Sequence, residues 1–122
     1  MVEREGKGFR KLLVWERAHR LVLQVYKISN SYPKTEMFGL TSQMRRAVVS
    51  VPANIAEGYA AGGKGQFGRY LKIAQGSLAE VEYYLILSTD LTYITYKQYN
   101  EVELLRGEVG FLLSRLIQTV TR

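Results

Sequence analysis

Residues 58–68 read GYAAGGKGQFG, and two phosphate-binding patterns overlap in them. Gly58, four residues, then Gly63 and Lys64 lacks only the final Ser or Thr of a phosphate-cradling loop, whose hydroxyl would reach magnesium; Gly65 stands there instead. Gly63 to Gly68 is a literal G-x-G-x-x-G. Both patterns work where a strand delivers the chain to the glycines and a helix leaves them, aiming its amide dipoles at the phosphate. Here the residues before Gly58 have helical spacing, and no convincing period-2 strand occurs along the chain. The run from Gly58 to Gly65 is therefore expected to stop one helix and turn into the next. Contact between its free amides, Lys64 and a nucleic-acid phosphate is compatible with that role.

A second pattern, Glu16-Arg-Ala-His19, is the E-x-x-H pair that di-iron bundles carry on two helices. His19 is the only histidine, so the second copy cannot exist. The chain has no cysteine, which removes disulfides, thiolate zinc sites and a Cys nucleophile. No nucleophile elbow of the G-x-S-x-G kind is present. We expect no catalytic residue, no metal site and no cofactor: the chain reads as a non-enzyme.

The basic residues form a third pattern. Arg17, Arg20, Gln24 and Lys27 step by 3, 4 and 3, a stripe opposite the apolar row of the same helix. Arg45 and Arg46 open the second helix, Lys64 sits in the glycine turn, and Arg69 and Lys72 lie one turn apart beyond it. The chain carries a net charge of +6, yet residues 80–122 hold six acids against four bases, so the first two-thirds supply the positive field. Such patches bind nucleic-acid phosphates by counterion release without reading bases. The other class of function is a self-assembling protein-interaction module whose charges are only solvated.

These residues need elements to position them. Val14, Ala18, Leu21, Val25, Ile28 and Tyr32 recur at helical spacing until Pro33 stops the run. Leu40, Met44, Ala47, Val51, Ile55 and Tyr59 define a second helix, with Pro52 inside it as an expected kink. A heptad seam from Phe67 through Leu71, Ala74, Leu78, Val81 and Leu85 gives the third. Thr95-Tyr-Lys-Gln98 has the form of a capping box and opens the fourth, whose stripe runs through Val102, Leu105, Val109, Leu112, Leu116 and Val120. The expected architecture is all-α: an antiparallel up-down-up-down four-helix bundle over residues 12–122, with helices at about 12–32, 40–61, 66–94 and 96–121. The charged residues 1–11 are expected to be a flexible tail of a cytoplasmic protein, and no apolar run approaches membrane-spanning length. Arg46, Ser50, Asn54 and Glu57 form a polar line down the second helix, the pattern of a satisfied polar network. Apolar residues surround most of that helix and cover two faces of the third, more than one bundle buries, which predicts a homo-oligomer.

Four segments carry a resemblance. Leu13-Val-Trp-Glu-Arg-Ala-His19, Gly39-Leu-Thr-Ser-Gln-Met-Arg-Arg46, Asn54-Ile-Ala-Glu-Gly58 and Tyr70-Leu-Lys-Ile-Ala-Gln-Gly-Ser-Leu-Ala-Glu-Val-Glu82 resemble, in order and spacing, the four-helix-bundle proteins encoded in intervening sequences of 23S rRNA genes. That family is similar in fold to Avd, the accessory protein of diversity-generating retroelements. The resemblance implies a homopentameric barrel of basic bundles without a catalytic residue. For the Avd branch it implies association with a reverse transcriptase and its template RNA. Family members often carry Ser or Thr where glycines accumulate from Gly63 to Gly68, which leaves the start of the third helix open.

Overall fold

The computed structural model describes residues 8–122. Four helices follow one another: α1 (Leu13–Ser29), α2 (Leu40–Ala61), α3 (Lys64–Asp90) and α4 (Tyr96–Val120). Each packs against its neighbours in a ring, α1 on α2, α2 on α3, α3 on α4 and α4 on α1. Among the described residues there is no strand, and no helix is long and apolar enough to cross a membrane. The fold is the all-α four-helix bundle that the apolar periods predict.

The expected tail needs correction. Residues 1–7 lie outside the described residues, but Gly8–Lys11 forms a 3-10 turn packed on α1 and α2. Phe9 meets Trp15 edge-on at 5.1 Å, and the Lys11 ammonium lies 6.0 Å from the Tyr59 ring centre.

Helix ends follow local chemistry. α1 stops at Ser29, ahead of Pro33, and Tyr32 turns back into the core with its amide bonded to the Ser29 carbonyl. α2 runs through Pro52 without interruption. α3 ends before Thr92, whose φ of 61° places it in the left-handed region that halts a helix of L-residues. Thr95 and Gln98 form a reciprocal capping box, Gln98 N–H donating to Thr95 Oγ1 at 3.1 Å and Thr95 N–H to Gln98 Oε1 at 2.9 Å. At the same end of the bundle Glu36 accepts from Leu40 N–H at 3.2 Å and from Tyr93 Oη at 2.8 Å, tying the α1–α2 loop to the α3–α4 loop. The hydrogen bond to Glu36, with burial and the carboxylate charge behind it, pushes the Tyr93 phenol above its usual range.

The core is one cluster in which Leu21, Met44, Ile55, Leu71, Leu85 and Leu113 are fully buried. Of the polar line on α2, Ser50 and Asn54 enter a network: Ser50 Oγ lies 2.8 Å from Ser77 Oγ of α3, and Asn54 Nδ2 donates to Ser50 Oγ at 2.9 Å. Arg46 and Glu57 stay exposed outside it.

The glycines divide into distinct roles. Gly62 and Gly63 are the whole α2–α3 connection, both at positive φ (76° and 77°) with extended ψ, a combination that essentially only glycine adopts. Gly58 lies inside α2, where a Cβ would stand 2.6 Å from Tyr70 Cβ and 3.1 Å from Phe67 Cδ1. Gly76, in the middle of α3, faces open space. Alanine at Gly58 is therefore expected to destabilise the bundle by about 1–2 kcal/mol despite its better helix propensity, whereas Gly76→Ala stabilises by about 0.5–1 kcal/mol. Urea unfolding of the two variants checks both signs.

Candidate nucleic-acid interface

The predicted cations separate into those held by the chain and those left to solvent. Glu16 is only 4% exposed, and the guanidinium groups of Arg17 and Arg20 both bond its carboxylate. Arg17 Nε also reaches Glu108 on α4 at 3.2 Å. Burial works against the Arg17 charge, but Glu16 and Glu108 more than offset it and hold the group above its ordinary value. These two arginines answer a carboxylate that water cannot reach. Arg45 is engaged as well: its plane lies 4.6 Å from the Tyr26 ring centre, Nε donates to Ser29 Oγ at 2.9 Å and Nη2 to Asn30 Oδ1 at 3.2 Å. It joins the first turns of α2 to the last turn of α1. The expected stripe on α1 thus reduces, as a source of unpaired charge, to Lys27.

Lys27, Arg46, Lys64, Arg69 and Lys72 are exposed and form no ion pair among the described residues. Three of them gather at the glycine end of the bundle. Arg69 and Lys72 line an open groove of about 490 Å³ with Gly65, Gly68, Ile73 and Thr121. Gly65 offers bare backbone, with no atom within 4 Å of where a Cβ would stand. Gly68 lets α4 come so close that its Cβ would lie 2.8 Å from Thr121 Cγ2. Lys64 begins α3 beside this groove, and the N-cap, Gly63, has no side chain to satisfy the first amides. Cations, free amide donors and the positive end of a helix dipole therefore meet at one place, a combination suited to phosphate. Thr121 and Ile73 were not among the predicted residues. Thr121 enters only because the α4 C-terminus lies beside the α3 N-terminus in an up-down bundle.

His19 of the E-x-x-H pattern stacks flat on Trp15, ring centres 5.3 Å apart at 6°, while its Glu16 is taken by arginines. Among the described residues no three His, Asp or Glu side chains form a metal-holding group.

Large apolar side chains remain outside the core. Phe38 is 93% exposed on the α1–α2 loop, and Leu104 (79%) and Phe111 (61%) stand on the outer face of α4. With Gly107 between them and Asn100, Glu103 and Glu108 beside them they line a shallow notch.

Fold and surface define a basic four-helix-bundle protein with exposed cations at its glycine end and apolar side chains on the outer face of α4. The chain belongs to the 23S rRNA-intervening sequence protein family, whose model matches residues 10–115. A solved structure of a protein of the S23 ribosomal protein family from Bacteroides thetaiotaomicron, described as of unknown function, superposes with a TM-score of 0.80 at 26% identity, covering 87% of this chain and 96% of that one. No curated protein matches the chain.

Removing Arg17 and Arg20 together leaves Glu16 buried and uncompensated. The double alanine variant is expected to lose about 2–3 kcal/mol, less than for a wholly dry pair because both arginines touch water. Adding Glu16→Gln recovers most of the loss in urea unfolding.

Proposed function

We propose that this protein is a non-enzymatic, self-assembling scaffold that binds the phosphate backbone of RNA or DNA at the glycine end of the bundle. The observation that carries this reading is the groove in which Arg69 and Lys72, both without ion-pair partners among the described residues, flank the start of α3. Lys64 adds a third charge, and assembly multiplies the patch by symmetry. The resemblance to Avd extends the proposal to a reverse transcriptase and its template RNA as partners, and to five as the number of subunits.

The test is fluorescence anisotropy of labelled RNA and DNA across a salt series. Affinity should fall steeply with salt. The Arg69→Glu, Lys72→Glu variant should bind single strands more weakly, with a slope shallower by about 0.7 for each phosphate it no longer neutralises. Affinity indifferent to salt, or unchanged in that variant, sinks the proposal.

A second reading, a purely structural interaction module, is favoured by the exposed Leu104 and Phe111. Both readings include self-association, for which α4 supplies the apolar surface. Light scattering on a sizing column should show an oligomer, and Leu104→Glu with Phe111→Glu should shift it toward monomer while helical circular dichroism is kept. An oligomer that retains no nucleic acid supports the second reading over the first.

A further inference from the structure

The opposite end of the bundle holds a hydroxyl that the fold leaves unused. Ser29, Ser88, Thr89, Thr119 and Thr121 each donate their hydroxyl to the carbonyl four residues earlier. Thr41 stands in the first turn of α2. It is 7% exposed, and its Oγ1 has no hydrogen-bond partner among the described residues. A buried hydroxyl left in this state is unfavourable and calls for an occupant. The other hydroxyl without a partner among the described residues, Tyr32 Oη, is directed toward Ser88, although Tyr32 also lines the smaller of the depressions beside Thr41.

The surroundings of Thr41 say what that occupant is. Two adjoining depressions, of about 360 and 200 Å³, share Met37, Thr41 and Arg45 as lining residues. Gly39, the N-cap of α2, provides no side-chain acceptor. Glu36 takes the Leu40 amide, Gly39 O takes the Gln43 amide, and the Thr41 and Ser42 amides between them have no acceptor among the described residues. Arg45 uses Nε and Nη2 on the end of α1 and its C-cap, Asn30, which fixes its guanidinium and leaves Nη1 unbonded among the described residues. Arg46 lines the larger depression and Lys34 the smaller. The nearby carboxylate, Glu36, lines neither, and both its oxygens are engaged by Leu40 N–H and Tyr93 Oη. Met37, which lines both depressions with Thr41, is 54% exposed and unbranched, so it can change rotamer without disturbing the core.

We propose that this site binds a phosphate group, held by the Thr41 and Ser42 amides, the Thr41 hydroxyl, Arg45 Nη1 and Arg46. It lies at the other end of α2 from the groove assigned to the nucleic-acid backbone and is independent of it. Free phosphate and the terminal phosphate of a strand share this chemistry.

The test is amide NMR of the full ¹⁵N-labelled chain, titrated with inorganic phosphate at ionic strength held constant with chloride. The Thr41 and Ser42 resonances should move and saturate. Thr41→Val, which keeps the shape and removes the hydroxyl, should weaken binding about tenfold, the scale of one hydrogen bond to an anion. Arg46→Gln, at an exposed position, should weaken it too, whereas the Arg69→Glu, Lys72→Glu variant should bind phosphate as before. A 5′-phosphorylated dinucleotide and its 5′-hydroxyl counterpart separate the sources. Tighter binding of the phosphorylated form than of inorganic phosphate identifies a strand end, and binding of inorganic phosphate alone identifies a small anion; both uphold the site. Thr41 and Ser42 amides that stay still, or equal affinity in Thr41→Val, overturn it.

Discussion

The missing Cβ at Gly58 is the constraint on which the rest of the bundle depends. It lets the backbone of α2 come against Tyr70 and Phe67 at a separation that any other residue would block. The two-glycine turn just beyond it forces the chain back along the same side. α2 and α3 consequently form the most extensive helix pair of the molecule, and α1 and α4 close the ring against that pair. Glycine-rich stretches are read first as ligand loops because bare amides attract anions. Here Gly58 and Gly68 serve close approach, Gly62 and Gly63 serve reversal, and Gly65 alone leaves backbone uncovered within the groove.

Positive charge in this protein is not one property. Some of it neutralises carboxylates of the chain itself: Arg17 and Arg20 at Glu16, which the fold has taken from water, and the largely buried Arg106 between the more exposed Glu82 and Glu103. Some of it joins helix ends, as Arg45 does. What remains for a partner is the set without acceptors among the described residues, with any donor, such as Arg45 Nη1, that internal bonds leave over; at the glycine end that set sits beside unfilled amides. A net charge of +6 therefore describes the field at a distance. Binding at close range depends on which guanidinium and ammonium groups still have donors to give.

Much of the fold was legible because apolar spacing, prolines and caps act locally. The row from Leu40 to Ile55 lies on the buried face of α2, and the Thr95–Gln98 box caps α4. The misplacements have physical causes. Apolar spacing continues through the turn after α3, where Ile94 is buried although the helix has already ended, so periodicity alone extended α3 too far. Tyr32 misled in the same way at the end of α1, being buried from a turn. The site was less legible. The step pattern of Arg17, Arg20 and Lys27 is real, but it is silent about Glu16 being buried among those bases and about Glu108 arriving from α4. Partners distant in sequence leave no periodic mark. Thr41 is subtler still: that its hydroxyl lacks an acceptor follows from where α2 begins, which spacing places only approximately.

The Ser50–Asn54–Ser77 network has a mechanical consequence. Sliding α2 past α3 by one turn means a displacement of about 5.4 Å, which would part the two serines and leave the buried Ser77 hydroxyl without its partner, while Ser50 keeps only Asn54 of its own helix. The hairpin is thereby locked lengthwise. From Thr41 to the last residue of α2 the axis rises about 30 Å, and that interval stays constant whatever occupies either extremity. The bundle thus acts as a rigid spacer of set length.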